Sequence, residues 1–312
     1  MNYTPEQLGW KLYGLYLASD LDLFHRPLVI FANTDTKEEI IKKLTGANFK
    51  DNDEVAIRFS KDNVLNLPFF LGSYSLVNIA QIIIDNKVDS IPFVHGLVKT
   101  KFCAVLYYDG NSFFIEVYPG MGARRKKVFA EYPDIIKIDK KMIIVSRYLK
   151  NRLVEYSDGS EIEAPPFDFA FLKSVADKIL AQKSQYNKIL EIINPLQCEL
   201  NAESVDDINL VGIEKTVIMN TNTTTNSNDD YYIAKSLEDL KNYNSNKKLF
   251  LDIPLTRDFD TNEILKLLPK NSTIYLKSLT MHLAILFREH GFKVDKVIFK
   301  GDYETKTYPI QN

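Results

Sequence analysis

The sequence predicts an α/β (α+β) protein, and three features carry that prediction. After residue 247 short apolar runs alternate with helical patterns: strand 248–253, helix 261–268, strand 272–276, helix 283–290 and strand 294–299. Before that point, strand-like runs at 27–32, 54–59, 102–108 and 112–118 are interspersed with amphipathic segments. Asp109-Gly110 joins the last two of these runs, and that dipeptide is a strong hairpin-turn signal.

Individual elements follow from local chemistry. Residues 5–18 read as a helix with Leu8, Leu12, Leu15 and Tyr16 on one face. Thr36 with Glu39 three residues on forms a capping box that opens a helix through Leu44. A further helix is expected near 75–85, and 168–193 reads as helical. The run 220–230 (NTNTTTNSNDD) has no apolar member, so it reads as an exposed linker between residues 1–219 and 231–312.

Composition narrows the function classes. Lys and Arg number 39 against 41 Asp and Glu, a balance that gives no pull toward nucleic acid or anionic lipid. Cys103 and Cys198 are too few for a disulfide framework or a cysteine-based zinc site. No apolar run approaches the roughly 18 to 20 residues needed to span a bilayer, and the opening residues lack a signal-peptide pattern. The expectation is a soluble, cytoplasmic protein. His25, His95 and His290 show no metal-ligand spacing and read as structural.

The sharpest local signal is 279–291, LTMHLAILFREHG. Thr280 and His282 sit where a strand turns into a helix, a place where free backbone N–H groups favour an anion. An imidazole there can act as a nucleophile, although strand–turn–helix histidines are ordinary and the local sequence by itself favours a simple polar cap.

This segment resembles the phosphohistidine motif of the PEP synthase and pyruvate phosphate dikinase family. Thr280, His282, Ala284, Ile285, Arg288, Glu289 and Gly291 match in register. The acidic-glycine-glycine turn usual before that motif is replaced by Lys277-Ser278-Leu279. Upstream stretches follow the family's order: GWKLYG with Lys11, EVAIRFS with Arg58 and Ser60, LPFFLGSYS with Gly72 and Tyr74, and SFFIEVYPGMG with Glu116. At Pro195-Leu196-Gln197-Cys198-Glu199 the second of two family carboxylates is kept as Glu199, with Gln197 in place of the first.

The resemblance implies an ATP-grasp-like domain over 1–219 and a small swivelling phosphohistidine domain over 231–312. It implies ATP and Mg²⁺ as cofactors, held by Lys11, Arg58 and Glu199, with Gly72, Tyr74 and Glu116 around the nucleotide. By the same resemblance, ATP phosphorylates His282, assisted by Thr280 and Arg58, and the phosphoryl group passes to an unknown acceptor or a separate acceptor-site subunit. The alternative is an inactive descendant that serves as a nucleotide-binding sensor or subunit.

Overall fold

The computed structural model describes residues 3–61, 67–86, 90–97, 100–120, 132–155, 161–216, 223–226, 230–244, 246–253, 261–269, 272–280 and 282–310. The side chains of Lys11, His282 and Ile285 lie outside the described residues.

The chain opens with two short helices, α1 (Pro5–Leu8) and α2 (Trp10–Asp20), rather than one. Gly9, at φ 71°, breaks them apart because few other residues adopt that backbone at low cost. Next comes a four-stranded antiparallel sheet in the order β1 (Leu28–Ile30), β4 (Ile91–Gly96), β2 (Glu54–Ser60), β3 (Phe69–Ser73). Helices α3 (Lys37–Gly46) and α4 (Leu76–Asn86) cover one face, burying Ile40, Leu44, Ile79 and Ile83 against Val55, Ile57 and Val94. The predicted capping box is present. Thr36 Oγ1 accepts from the Glu39 amide at 3.3 Å, and the Glu39 carboxylate accepts from the Thr36 amide at 2.7 Å.

A seven-stranded antiparallel sheet forms the centre. Its order is β12 (Ile208–Lys215), β11 (Leu196–Ala202), β5 (Phe102–Tyr108), β6 (Phe113–Pro119), β7 (Asp134–Ile138), β8 (Met142–Tyr148) and β18 (Tyr303–Pro309). Asp109 makes the β5–β6 turn by accepting from the amides of Asn111 and Ser112. Helices α5 (Phe169–Ala181) and α6 (Lys183–Leu190) pack with α2 on one face of this sheet, over Ala104, Leu106, Ile115, Val117 and Cys198. A two-stranded hairpin of β9 (Arg152–Glu155) and β10 (Glu161–Ala164) stands beside it.

The third layer is a parallel sheet ordered β13 (Thr223–Asn226), β17 (Lys293–Phe299), β16 (Thr273–Leu276), β15 (Lys248–Leu251), β14 (Tyr231–Ala234). Helices α7 (Leu237–Lys241), α8 (Thr261–Leu267) and α9 (His282–Glu289) connect successive strands as βαβ units. The α/β class expected from sequence is therefore the class observed. Two details differ from the expected organisation. Thr223–Asn226, inside the polar run read as a linker, adds a strand to β17, because backbone pairing needs no apolar side chain. Strand β18, following β17, leaves the parallel sheet and pairs with β8.

The parallel layer packs on the second face of the central sheet, where Tyr107, Phe114 and Ile135 join the core of Leu276, Leu283 and Phe287. Strands β5 and β6 are consequently buried along their whole length, on both faces. Among the described residues, no helix is long and apolar enough to cross a membrane.

Gly14 sets the approach of α2 to β12. A Cβ there would stand 2.5 Å from Ile213 Cβ and 2.9 Å from its carbonyl oxygen. Gly14→Ala should therefore destabilise by about 1–3 kcal/mol through overpacking, outweighing the gain of roughly 1 kcal/mol in helix propensity. Urea unfolding of the two proteins measures this, and a stabilised variant would contradict the packing described.

Candidate active site between the sheets

Strand alternation places the candidate residues. On β2, Val55, Ile57 and Phe59 point to the α3/α4 core, so Ala56, Arg58 and Ser60 lie on the opposite face. Across β3, Phe69 pairs with Arg58 and Leu71 with Ala56, which puts both on Arg58's face. Both are large apolar side chains left exposed, at 64% and 47%.

On β11, Leu196, Cys198 and Leu200 enter the core beneath α5 and α6, leaving Gln197 and Glu199 on the other face. Glu199 pairs with Val105 of β5, which in turn pairs with Glu116 of β6. One row of the central sheet therefore carries Glu199 and Glu116 two strands apart, ~10 Å.

At the junction of the two sheets, Arg58 of β2 and Glu199 of β11 are near enough for their charges to influence each other. Burial works against the Arg58 charge and lowers its pKa, while the Glu199 carboxylate acts in the opposite sense. The Arg58 Nε is buried without a hydrogen-bond partner, and so is Gln197 Oε1. Gln197 itself is only 3% exposed. Gln197 and Glu199 are thus two oxygen donors on one strand face, and oxygen donors are what Mg²⁺ takes. Among the described residues no group of three or more His, Cys, Asp and Glu side chains is placed to hold a metal by itself.

The junction is held from below. Arg26 donates from Nε to Asn209 Oδ1 at 3.0 Å, from Nη1 to the Leu97 carbonyl, and from Nη2 to Asp207 at 2.9 Å. Ser60 Oγ donates to the Leu8 carbonyl at 2.5 Å. Alongside lies a shallow groove lined by His25, Arg26, His95, Asn209 and Val211. His95 pairs with Ala56, two residues from Arg58 on the same face, so the groove adjoins the Arg58 side of the junction. His25 bonds Asp22 at 2.9 Å, and His95 and His290 bond backbone carbonyls, in keeping with structural roles.

Other expected residues fall as follows. The Tyr74 ring lies over Gly72, where an added Cβ would meet it at 3.3 Å. Lys11 stands in the first turn of α2, and His282 begins α9. Glu116 is turned to the parallel-sheet layer. Its Oε2 accepts from Ser278 Oγ at 2.6 Å, Thr280 Oγ1 at 2.6 Å and the Thr280 amide at 3.0 Å. Its Oε1 accepts from the Leu279 amide and from Lys296 Nζ, each at 3.0 Å.

Sequence reading missed Lys296, Ser278 and Arg288 as interacting groups. The one available signal for Lys296 was a lysine in the middle of the apolar run VDKVIF. Arg288 donates from Nη2 to the Leu279 carbonyl at 2.9 Å, and burial pushes its pKa down to about 10. Lys137, beside Phe114, is pushed down to about 8 by burial and by the Lys296 charge.

No family model and no curated protein matches the chain. Similar solved structures include D-cycloserine synthetase DcsG, at TM-score 0.37 and 11% identity, over 66% of this chain and 62% of that one. D-alanine–D-alanine ligase from Bacillus anthracis gives 0.38 and 12%, over 66% and 56%. An ADP complex of the N5-carboxyaminoimidazole ribonucleotide synthetase purK gives 0.38 and 9%, over 67% and 45%. The match thus spans less than two thirds of the length of each. These neighbours are ligases and synthetases, not PEP-utilising dikinases, and the assignment to the PEP synthase and pyruvate phosphate dikinase family is corrected accordingly. In this chain the donors of the 278–280 turn, where the resemblance implied a phosphoryl group, are taken up by the Glu116 carboxylate.

Burial pushes the Glu116 carboxyl up, but Lys296, the two hydroxyls and the Leu279 amide outweigh it and hold it below its ordinary value. A depressed carboxylate contributes stability that is present above the unfolded value, about 4.3, and is lost as pH falls through the folded value. Glu116→Gln, which leaves Lys296 buried without its counter-charge, should cost about 3–5 kcal/mol at neutral pH. The gap between the two proteins should close in acid, as measured by denaturant unfolding across pH. A gap independent of pH would contradict the charged pair.

Proposed function

We propose that the junction between the four-stranded and seven-stranded sheets binds ATP with its magnesium ion, and that the chain is an ATP-dependent enzyme. The observation that carries this reading is the electrostatic influence of Glu199, on the seven-stranded sheet, on Arg58, on the four-stranded one, with an unpartnered Gln197 oxygen two residues from Glu199. Arg58 is a half-buried cation with a free N–H, suited to phosphate oxygens. Glu199 and Gln197 would hold Mg²⁺, which when bound neutralises charge on the phosphates. Exposed Phe69 and Leu71, beside Arg58, offer apolar surface for a purine. The acceptor is a small molecule or a group on a separate subunit.

A second reading, a nucleotide-binding protein without turnover, is favoured by one feature: Gln197 is neutral, so β11 offers the metal a single charged ligand.

Calorimetric titration with ATP and Mg²⁺ should give saturable binding. Arg58→Met should weaken it roughly 10- to 100-fold, the worth of a charge-assisted hydrogen bond of about 1.5–3 kcal/mol. Glu199→Gln should remove most of the magnesium dependence. No binding by the wild type, or equal affinity in the Arg58 variant, would contradict the site. Tight binding with no formation of ADP or AMP in the presence of candidate acceptors would select the second reading.

A further inference from the structure

The turn at 278–280 is constructed as a receptor for an oxyanion. It presents two successive backbone N–H groups, from Leu279 and Thr280, and two hydroxyls, from Ser278 and Thr280. Lys296 Nζ adds a full positive charge, and it also donates to the Lys277 carbonyl, which fixes the lysine against the turn. Arg288 braces the same turn through the Leu279 carbonyl. Ser278, Thr280 and Lys296 are all at or below 2% exposure, so water does not compete for these donors. Tyr118 completes the shell, its hydroxyl 2.8 Å from Ser278 Oγ and 3.2 Å from Glu116 Oε2. Every donor in the cluster comes from the parallel-sheet layer except Tyr118, and the carboxylate that fills it comes from the central sheet.

We infer that residues 278–280 with Lys296 form an oxyanion-binding site, separate from the Arg58–Glu199 junction, whose ligand in this state is the Glu116 carboxylate of the central sheet. The parallel layer is thereby docked as a receptor docks an anion. The ligand class is a small planar or tetrahedral oxyanion, and the site takes a free one once the internal carboxylate is removed. This inference does not depend on nucleotide binding at the junction.

The test uses the full chain. Glu116→Ala vacates the site without filling it, and Glu116→Gln leaves an amide inside it. Thermal unfolding is followed in sodium formate, sodium phosphate and sodium chloride at matched ionic strength. The alanine variant should melt below the wild type and recover several degrees, saturably, with formate or phosphate but not with chloride. The two anions report whether the receptor prefers a planar carboxylate or a tetrahedral phosphate. Wild type and the glutamine variant should show no such saturable rise. If the alanine variant does not fold in chloride, refolding yield replaces melting temperature, and recovery in formate or phosphate alone supports the site. An alanine variant that responds to these anions no more than the wild type does, or refolds in none of the salts, overturns the inference.

Discussion

The Glu116 carboxylate is the contact on which the arrangement of the layers depends. Two sheets of different kinds, one antiparallel and one parallel, are joined across a largely apolar interface by one fully buried acid with Lys296 as counter-charge. Apolar contact among Tyr107, Phe114, Ile135 and Phe287 supplies attraction without direction. The carboxylate supplies direction, because five donors from the opposing layer converge on its two oxygens. A buried charge pair of this kind adds little to stability relative to an apolar replacement, but it makes any other docking register costly.

That constraint reaches the candidate active site through the sheet itself. Glu116 and Glu199 share one row of the central sheet, with Val105 between them. On the other side, Arg26, just before β1, bonds Asp207 and Asn209 at the start of β12.

Much of the fold was legible because its signals are local. The Thr36–Glu39 capping box, the Asp109-Gly110 turn and the alternation after residue 247 each rest on a few neighbouring residues, and each appears where expected. What escaped was non-local. Strand β13 lies in a polar run whose composition reads as loop, and it exists because β17 offers a free edge. Strand β18 carries an exposed, polar pattern and is held by pairing with β8. In the site, Arg58 and Glu199 come from strands some 140 residues apart and influence each other's charge, while the Glu116 carboxylate, expected from the resemblance near the nucleotide, is bonded to the 278–280 turn and Lys296. The family assignment failed for a related reason. A strand, a turn with hydroxyls and an apolar helix recur wherever βαβ units occur, and the sequence of the turn does not disclose which anion its donors hold. Here the anion comes from a strand some 160 residues earlier, Glu116 against Ser278.

The most direct test of the account is a crystal structure of the chain with magnesium and a non-hydrolysable ATP analogue. The account predicts phosphate oxygens within hydrogen-bonding distance of Arg58, the metal at Glu199 and Gln197, and the base against Phe69 and Leu71. A nucleotide bound elsewhere, with the Arg58–Glu199 junction unchanged, would contradict it.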